Sequence, residues 1–167
     1  SVIVPESSDL CEKVRGFYSP DTPVQKIPLG FVPPEVPPAS REQLGLEADR
    51  IYAIAAGRLI PRKAYQDLLS ALAITGVENL VLLIVGEGPE EKNLKEQVRG
   101  LGIEKSVKFL GFLDESAKHK YLAAADFFAL ASLHEGFGIV FQEAMYAGLP
   151  IVTTHSGGQT DFLRHGH

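Results

Sequence analysis

The 167 residues carry 45% hydrophobic and 22% charged side chains, a balance that excludes a disordered or fibrous chain and fits a soluble globular domain with one substantial core. A net charge of −5 supplies no basic field for nucleic acid, so an anionic ligand must be met by a few local cations. The longest apolar run, "LVLLIV" at 80–85, is far too short to span a bilayer, no stretch reads as a signal peptide, and the single cysteine, Cys11, fits a reducing compartment and reads as a bystander.

Residues 1–45 contain "VIVP", a polar helix-compatible piece, "VQKIPLGF" and "VPPEVPPASREQLG". Pro33, Pro34, Pro37 and Pro38 forbid a helix there and suggest an interdomain connection. From Ile51 onward short apolar runs alternate with segments of helical period: "IYAIAAG", "AYQDLLSALAI", "NLVLLIVGEG", "EEKNLKEQVRGL", "VKFLGF", "ESAKHKYLAAA", "DFFALAS", "GIVFQEAMYAG" and "PIVTT". This order predicts βαβ units, hence an α/β domain over 46–167 with a parallel sheet covered by helices on both faces. "DFLRHGH" stops where a further βα unit is expected, so a piece of a longer chain, with a partner domain missing, is anticipated.

Ligands of such sheets bind outside the carboxyl ends of the strands. That rule selects the loops at 57–64, 86–90, 111–115, 132–138 and 154–158. "AAGRLIPRK" follows the first strand with Arg58, Arg62 and Lys63, cations able to neutralise a diphosphate, although a solvated basic loop reads equally well. "GEGPEE" at 86–91 is neither a Walker loop nor G-x-G-x-x-G, but Gly86 permits close backbone approach and Pro89 suits a first helical turn. In "FLGFLDES" the main chain of Phe112 and Leu113 lies at the rim, with Asp114 or Ser116 capping the next helix.

"SLHEGFGIVFQEAMYAGLP" at 132–150 keeps only two acids, Glu135 and Glu143, among Gly, Ala and apolar residues. A helix starting near Gly138 would aim the amides of Gly136, Phe137 and Gly138 at an anion. On that helix Glu143 falls between Ile139 and Ala147 on an apolar face, where a carboxylate needs a partner; Glu135, in its loop, is open to a solvated reading. A buried ion pair or a capping role would account for Glu143 equally well. The histidines form no metal-ligand pair on a helix and no Asp-x-Asp motif occurs, so no metal is expected.

In order, "GRLIPRK", "VGEGPE", "VKFLGFL" and "HEGFGIVFQEAMYAGLPIVTTHSGG" resemble the C-terminal nucleotide-sugar domain of the group 1 glycosyltransferases over residues 51–161. Glu135 and Glu143 meet that family's E-x7-E motif, with "GFG" between them. The resemblance implies a Rossmann-like domain, the C-terminal half of a two-domain GT-B enzyme, with residues 1–35 as the last strand and helix of the N-terminal domain. It implies a retaining transferase that takes a UDP-, GDP- or ADP-linked sugar as donor, uses no cofactor and no metal, and is cytoplasmic, with any peripheral membrane contact in the missing half. It places Arg58 and Lys63 on the distal phosphate, Glu135 at the sugar, Gly136, Phe137 and Gly138 at sugar and phosphates, Glu143 on the ribose and the Leu113 backbone at the base. Gly57 and Gly86 border the same site, and Arg62 is a solvated neighbour. Two departures stand out: Ala64 replaces a frequent Gly after "PRK", and Thr160-Asp161 replaces Pro-Glu after "GG-x", so Asp161 is carried over only weakly. Another two-domain nucleotide-sugar enzyme, such as an epimerase, and a binding module without chemistry are the alternatives.

Overall fold

A computed structural model describes residues 2–17 and 21–166. Its elements are α1 (Ser8–Phe17), β1 (Ile51–Ala56), α2 (Tyr65–Thr75), β2 (Leu80–Val85), α3 (Glu91–Leu101), β3 (Val107–Gly111), α4 (Glu115–Ala124), β4 (Phe127–Leu130), α5 (Ile139–Tyr146) and β5 (Ile151–Thr153). The five strands form one sheet in the order β3-β2-β1-β4-β5, every pair parallel. From Tyr52 and from Val81 onward, β1 and β2 are buried residue after residue, because helices cover both faces and no side of the pleat meets water. α2 packs against α3 and α4 against α5, the pairing expected when right-handed crossovers put the first two helices on one face of this strand order and the last two on the other. The direction of winding reverses between β1 and β4, which opens a crevice at their carboxyl ends.

Tyr52, Ile54, Leu69, Leu83, Ile84, Phe128 and Phe141 are fully buried and knit the layers together. Each is an apolar or aromatic residue at a strand position or on a helix stripe, as the alternating runs anticipate. Asp114 caps α4 by accepting from the Ala117 amide at 2.7 Å; Ser116 does not. No helix among the described residues is long and apolar enough to cross a membrane.

The proline-bearing stretch ends on a staple. Arg41 reaches the Ala124 and Arg50 carbonyls and Asp126, whose carboxylate also accepts from the Tyr52 amide. The turn Glu42–Leu44 is thereby fastened to the start of β1 and β4, with Leu46 buried below. Residues 2–17 are docked as well: Asp161 accepts from the Ser8 amide at 2.8 Å and from Lys26 at 3.2 Å, which lays α1 against the turn Gly158–Asp161.

Candidate functional site

The loops after β1, β2, β3 and β4 converge above the reversal and enclose a cleft of about 690 Å³. Its lining includes all ten residues singled out above: Gly57, Arg58, Lys63, Gly86, Leu113, Glu135, Gly136, Phe137, Gly138 and Glu143. Residues scattered over 87 positions of sequence thus meet at one end of the sheet, for the reason that parallel strands all deliver their following loops to the same edge.

Lys63 ends the short turn Pro61–Lys63 and donates to Glu135 Oε1 at 2.6 Å, and Ser132 Oγ donates to the same oxygen at 2.6 Å. Glu135 is 4% exposed, so the solvated reading of this loop acid does not hold. It is as deeply set as Glu143, which is 6% exposed, although only Glu143 lies on a helix. Below this pair Tyr65 donates its hydroxyl to the Gly57 carbonyl, and burial together with the Glu135 charge pushes its phenol pKa up.

Arg62 is exposed, in keeping with a solvated neighbour, and it has a structural role besides. Its guanidinium donates to the His134 carbonyl at 2.8 Å while its own carbonyl accepts from the Leu133 amide, so it ties the loop after β1 to the loop after β4. The Arg58 side chain, also exposed in the cleft, has no hydrogen-bond or ion-pair partner among the described residues. The amides of Gly136, Phe137 and Gly138 likewise donate to no group among the described residues, and Gly138 caps α5 in the left-handed region at φ 88°. Positive charge and free N–H groups therefore face the same space. Glu143 adds an acceptor. Its Oε1 takes a 2.8 Å hydrogen bond from Lys118 while Oε2 is buried and unpartnered.

Gly86 serves the protein before any ligand. At φ 125° its missing Cβ is replaced by the Gly57 carbonyl oxygen, so glycine is required where two loops cross. Glu6 and Leu29 close the cleft from the N-terminal segment, and the Glu6 carboxylate lies against Gly136.

A family model described as glycosyl transferases group 1 matches residues 37–167. The chain belongs to this family. Among its group 1 relatives, the lipopolysaccharide core biosynthesis glycosyltransferase LpsE of Rhizobium meliloti is 34% identical over 126 residues, covering 75% of this chain and 36% of that one. The N-acetyl-alpha-D-glucosaminyl L-malate synthase of Bacillus anthracis is 41% identical over 106 residues, 62% of this chain and 27% of that one. The crystal structure of Anabaena HepE in complex with UDP and glucose superposes with a TM-score of 0.87 at 29% identity, over 99% of this chain and 47% of that one. This chain thus spans about a third of the length of the curated group 1 relatives it matches, 36% for LpsE.

The two departures from the group 1 pattern have structural explanations. Ala64 is the only non-glycine residue with positive φ among the described residues, at φ 48°, so alanine adopts here the left-handed conformation that glycine takes without strain. Asp161 is bound to Ser8 and Lys26 and holds the N-terminal segment in place.

Sequence reasoning missed Ser132, Lys118 and Glu6, which are single polar residues in no motif. Lys118 meets Glu143 only because α4 packs on α5, which the sequence does not show. Glu115, His119 and Glu143 bring ligand atoms within 4.8 Å of one another, and the cation among them is the Lys118 ammonium.

Proposed function

We propose that this chain is the donor-binding half of a retaining glycosyltransferase and that its cleft holds a nucleoside-diphosphate sugar. The carrying observation is the coincidence, in one cleft, of a free guanidinium at Arg58, three free amides at 136–138 and a buried carboxylate oxygen of Glu143 with nothing to bind. Unpaired donors suit a diphosphate, and an unpaired buried acceptor suits a hydroxyl-rich group such as ribose. HepE, the structural neighbour, was crystallised with UDP and with UDP-glucose, which favours a nucleotide sugar in this cleft.

In this reading Arg58 and Lys63 take the distal phosphate, the amides of Gly136, Phe137 and Gly138 take phosphate and sugar oxygens, and Glu143 Oε2 accepts from the ribose hydroxyls. Leu113 presents its backbone to the base and Glu135 faces the sugar. The sugar–phosphate bond breaks towards an oxocarbenium-like centre while negative charge gathers on the diphosphate. Fixed cations and helix-end amides stabilise that charge, each lost donor costing about 2.7–4 kcal/mol of barrier by analogy with an oxyanion hole. Lys63 would be shared between Glu135 and the phosphate, so donor binding brings a second anion to a lysine that already has one. The reaction needs neither cofactor nor metal in this scheme. The acceptor would be held by an N-terminal domain outside these 167 residues, where peripheral contact with a membrane would also lie; the domain alone binds donor and turns over poorly, in the cytoplasm.

Calorimetric titration of UDP, GDP and ADP against the chain and its Glu143→Ala variant tests this. One nucleotide is expected to bind, and the variant to weaken it roughly 10- to 100-fold, the worth of hydrogen bonds to a charged group. Absence of binding by all three, or equal binding by the variant, would show the reading to be wrong.

A further inference from the structure

Glu143 is anchored from one side only. Lys118 Nζ lies 2.8 Å from Glu143 Oε1 and 2.9 Å from Glu115 Oε1, with the Lys118 side chain 14% exposed and that of Glu143 7% exposed. Glu115, at 70%, stands in solvent. The lysine is therefore pinned between an outer and an inner acid, and all three line the cleft. Its backbone position is set by α4, whose first turn is fixed by the Asp114 cap.

A carboxylate's last torsion is broad and nearly two-fold, so packing alone does not decide which oxygen is left free for a further hydrogen bond. The Lys118 ammonium decides it, by occupying Oε1 and leaving Oε2 without a partner. Burial alone would lower the Lys118 pKa, but its hydrogen bonds to Glu143 and Glu115 outweigh that and raise it, so the ammonium stays charged wherever a nucleotide would bind.

We propose that Lys118 is a positioning residue for nucleotide recognition: it fixes Glu143 through Oε1 so that Oε2 is presented to the ribose hydroxyls. The proposal rests on the nucleotide reading above and adds to it a residue on a different helix that would touch Glu143 and not the nucleotide.

The measurement is a ratio, the affinity for UDP divided by that for its 2′,3′-dideoxy analogue. If the nucleotide bound best is GDP or ADP, the corresponding pair is used. The wild-type chain is expected to discriminate on the order of 10- to 100-fold. Lys118→Met is expected to bring the ratio close to one, and Lys118→Arg, which keeps a cation with donors, to stay within about threefold of wild type. Loss of affinity for both ligands by the same factor in Lys118→Met would show a direct contact to base or phosphate and overturn the proposal. So would an unchanged ratio. Should the Met variant fail to fold, Glu115→Gln removes the outer anchor at an exposed position; a ratio lowered about 1.5- to 5-fold supports the proposal and an unchanged one overturns it. Failure of wild type to bind UDP, GDP or ADP is a separate outcome that removes the nucleotide reading and this proposal with it.

Discussion

Lys63 and Glu135, assigned by resemblance to two different parts of the donor, meet each other across 2.6 Å with side chains only 11% and 5% exposed. The pair ties the loop after β1 to the loop after β4 and lets two charges stay buried. Removing one partner leaves the other uncompensated. Lys63→Met is expected to lower unfolding free energy by about 3–5 kcal/mol, and Lys63→Met with Glu135→Gln to recover at least half of that loss. Urea unfolding of the two variants decides; equal losses would show that the charges are not coupled.

Arg58 separates binding from stability. With no partner to lose among the described residues, Arg58→Met is expected to change stability by no more than about 0.5 kcal/mol. Affinity for UDP should fall roughly 10- to 100-fold, since a charge-assisted contact to phosphate is lost, while affinity for uridine should not move. A parallel fall for uridine would place Arg58 away from the phosphates.

The α/β class and the loops of the cleft were legible because both depend on local signals. β1 and β2 read as continuous apolar runs only because they are covered on both sides, and a parallel sheet sends Gly57, Gly86, Leu113 and Glu135 to one edge whatever the strand order. Pairings between elements were not legible. Lys118 meets Glu143 because α4 and α5 pack side by side, and Lys63 meets Glu135 because β1 and β4 are neighbours, facts of topology that periodicity does not carry. Gly86 lines the cleft, and the second demand on it, that the Gly57 carbonyl fills the space of its missing Cβ, is a crossing of two loops that sequence does not carry. Glu6 escaped notice because nothing in "VPESSD" marks a residue that lies against Gly136.

Ala64 sets three effects against one another. Replacing it by glycine relieves about 1–2 kcal/mol of left-handed strain, removes a buried methyl group worth about 0.8 kcal/mol and frees the unfolded chain by about 0.4–1 kcal/mol. These nearly cancel, so Ala64→Gly is expected to shift stability by less than about 1 kcal/mol. Ala64→Val keeps the positive φ, adds bulk at a fully buried position and should cost more than about 2 kcal/mol. Thermal unfolding of both variants checks the pair, and a well-tolerated valine would contradict the left-handed conformation.

Asp161 makes the docking of the N-terminal segment depend on pH. Burial alone would raise its pKa, but hydrogen bonds from the Ser8 amide and hydroxyl and the Lys26 ammonium outweigh that and hold it below the ordinary 3.8. A carboxyl depressed in the folded state contributes stability above the unfolded pKa, and that contribution disappears as pH falls through the lower folded value. The wild-type chain should therefore lose, below about pH 3.8, an increment that Asp161→Asn lacks at every pH. Urea midpoints of the two proteins are expected to differ at pH 6, to converge as the pH is lowered below 3.8, and to do so together with the accessibility of residues 2–17 to protease. A gap that does not narrow as the pH falls below 3.8 would mean that the Asp161 carboxylate does not hold the segment, and that Gly158 against Ser7 and the Lys13–His134 contact do so instead.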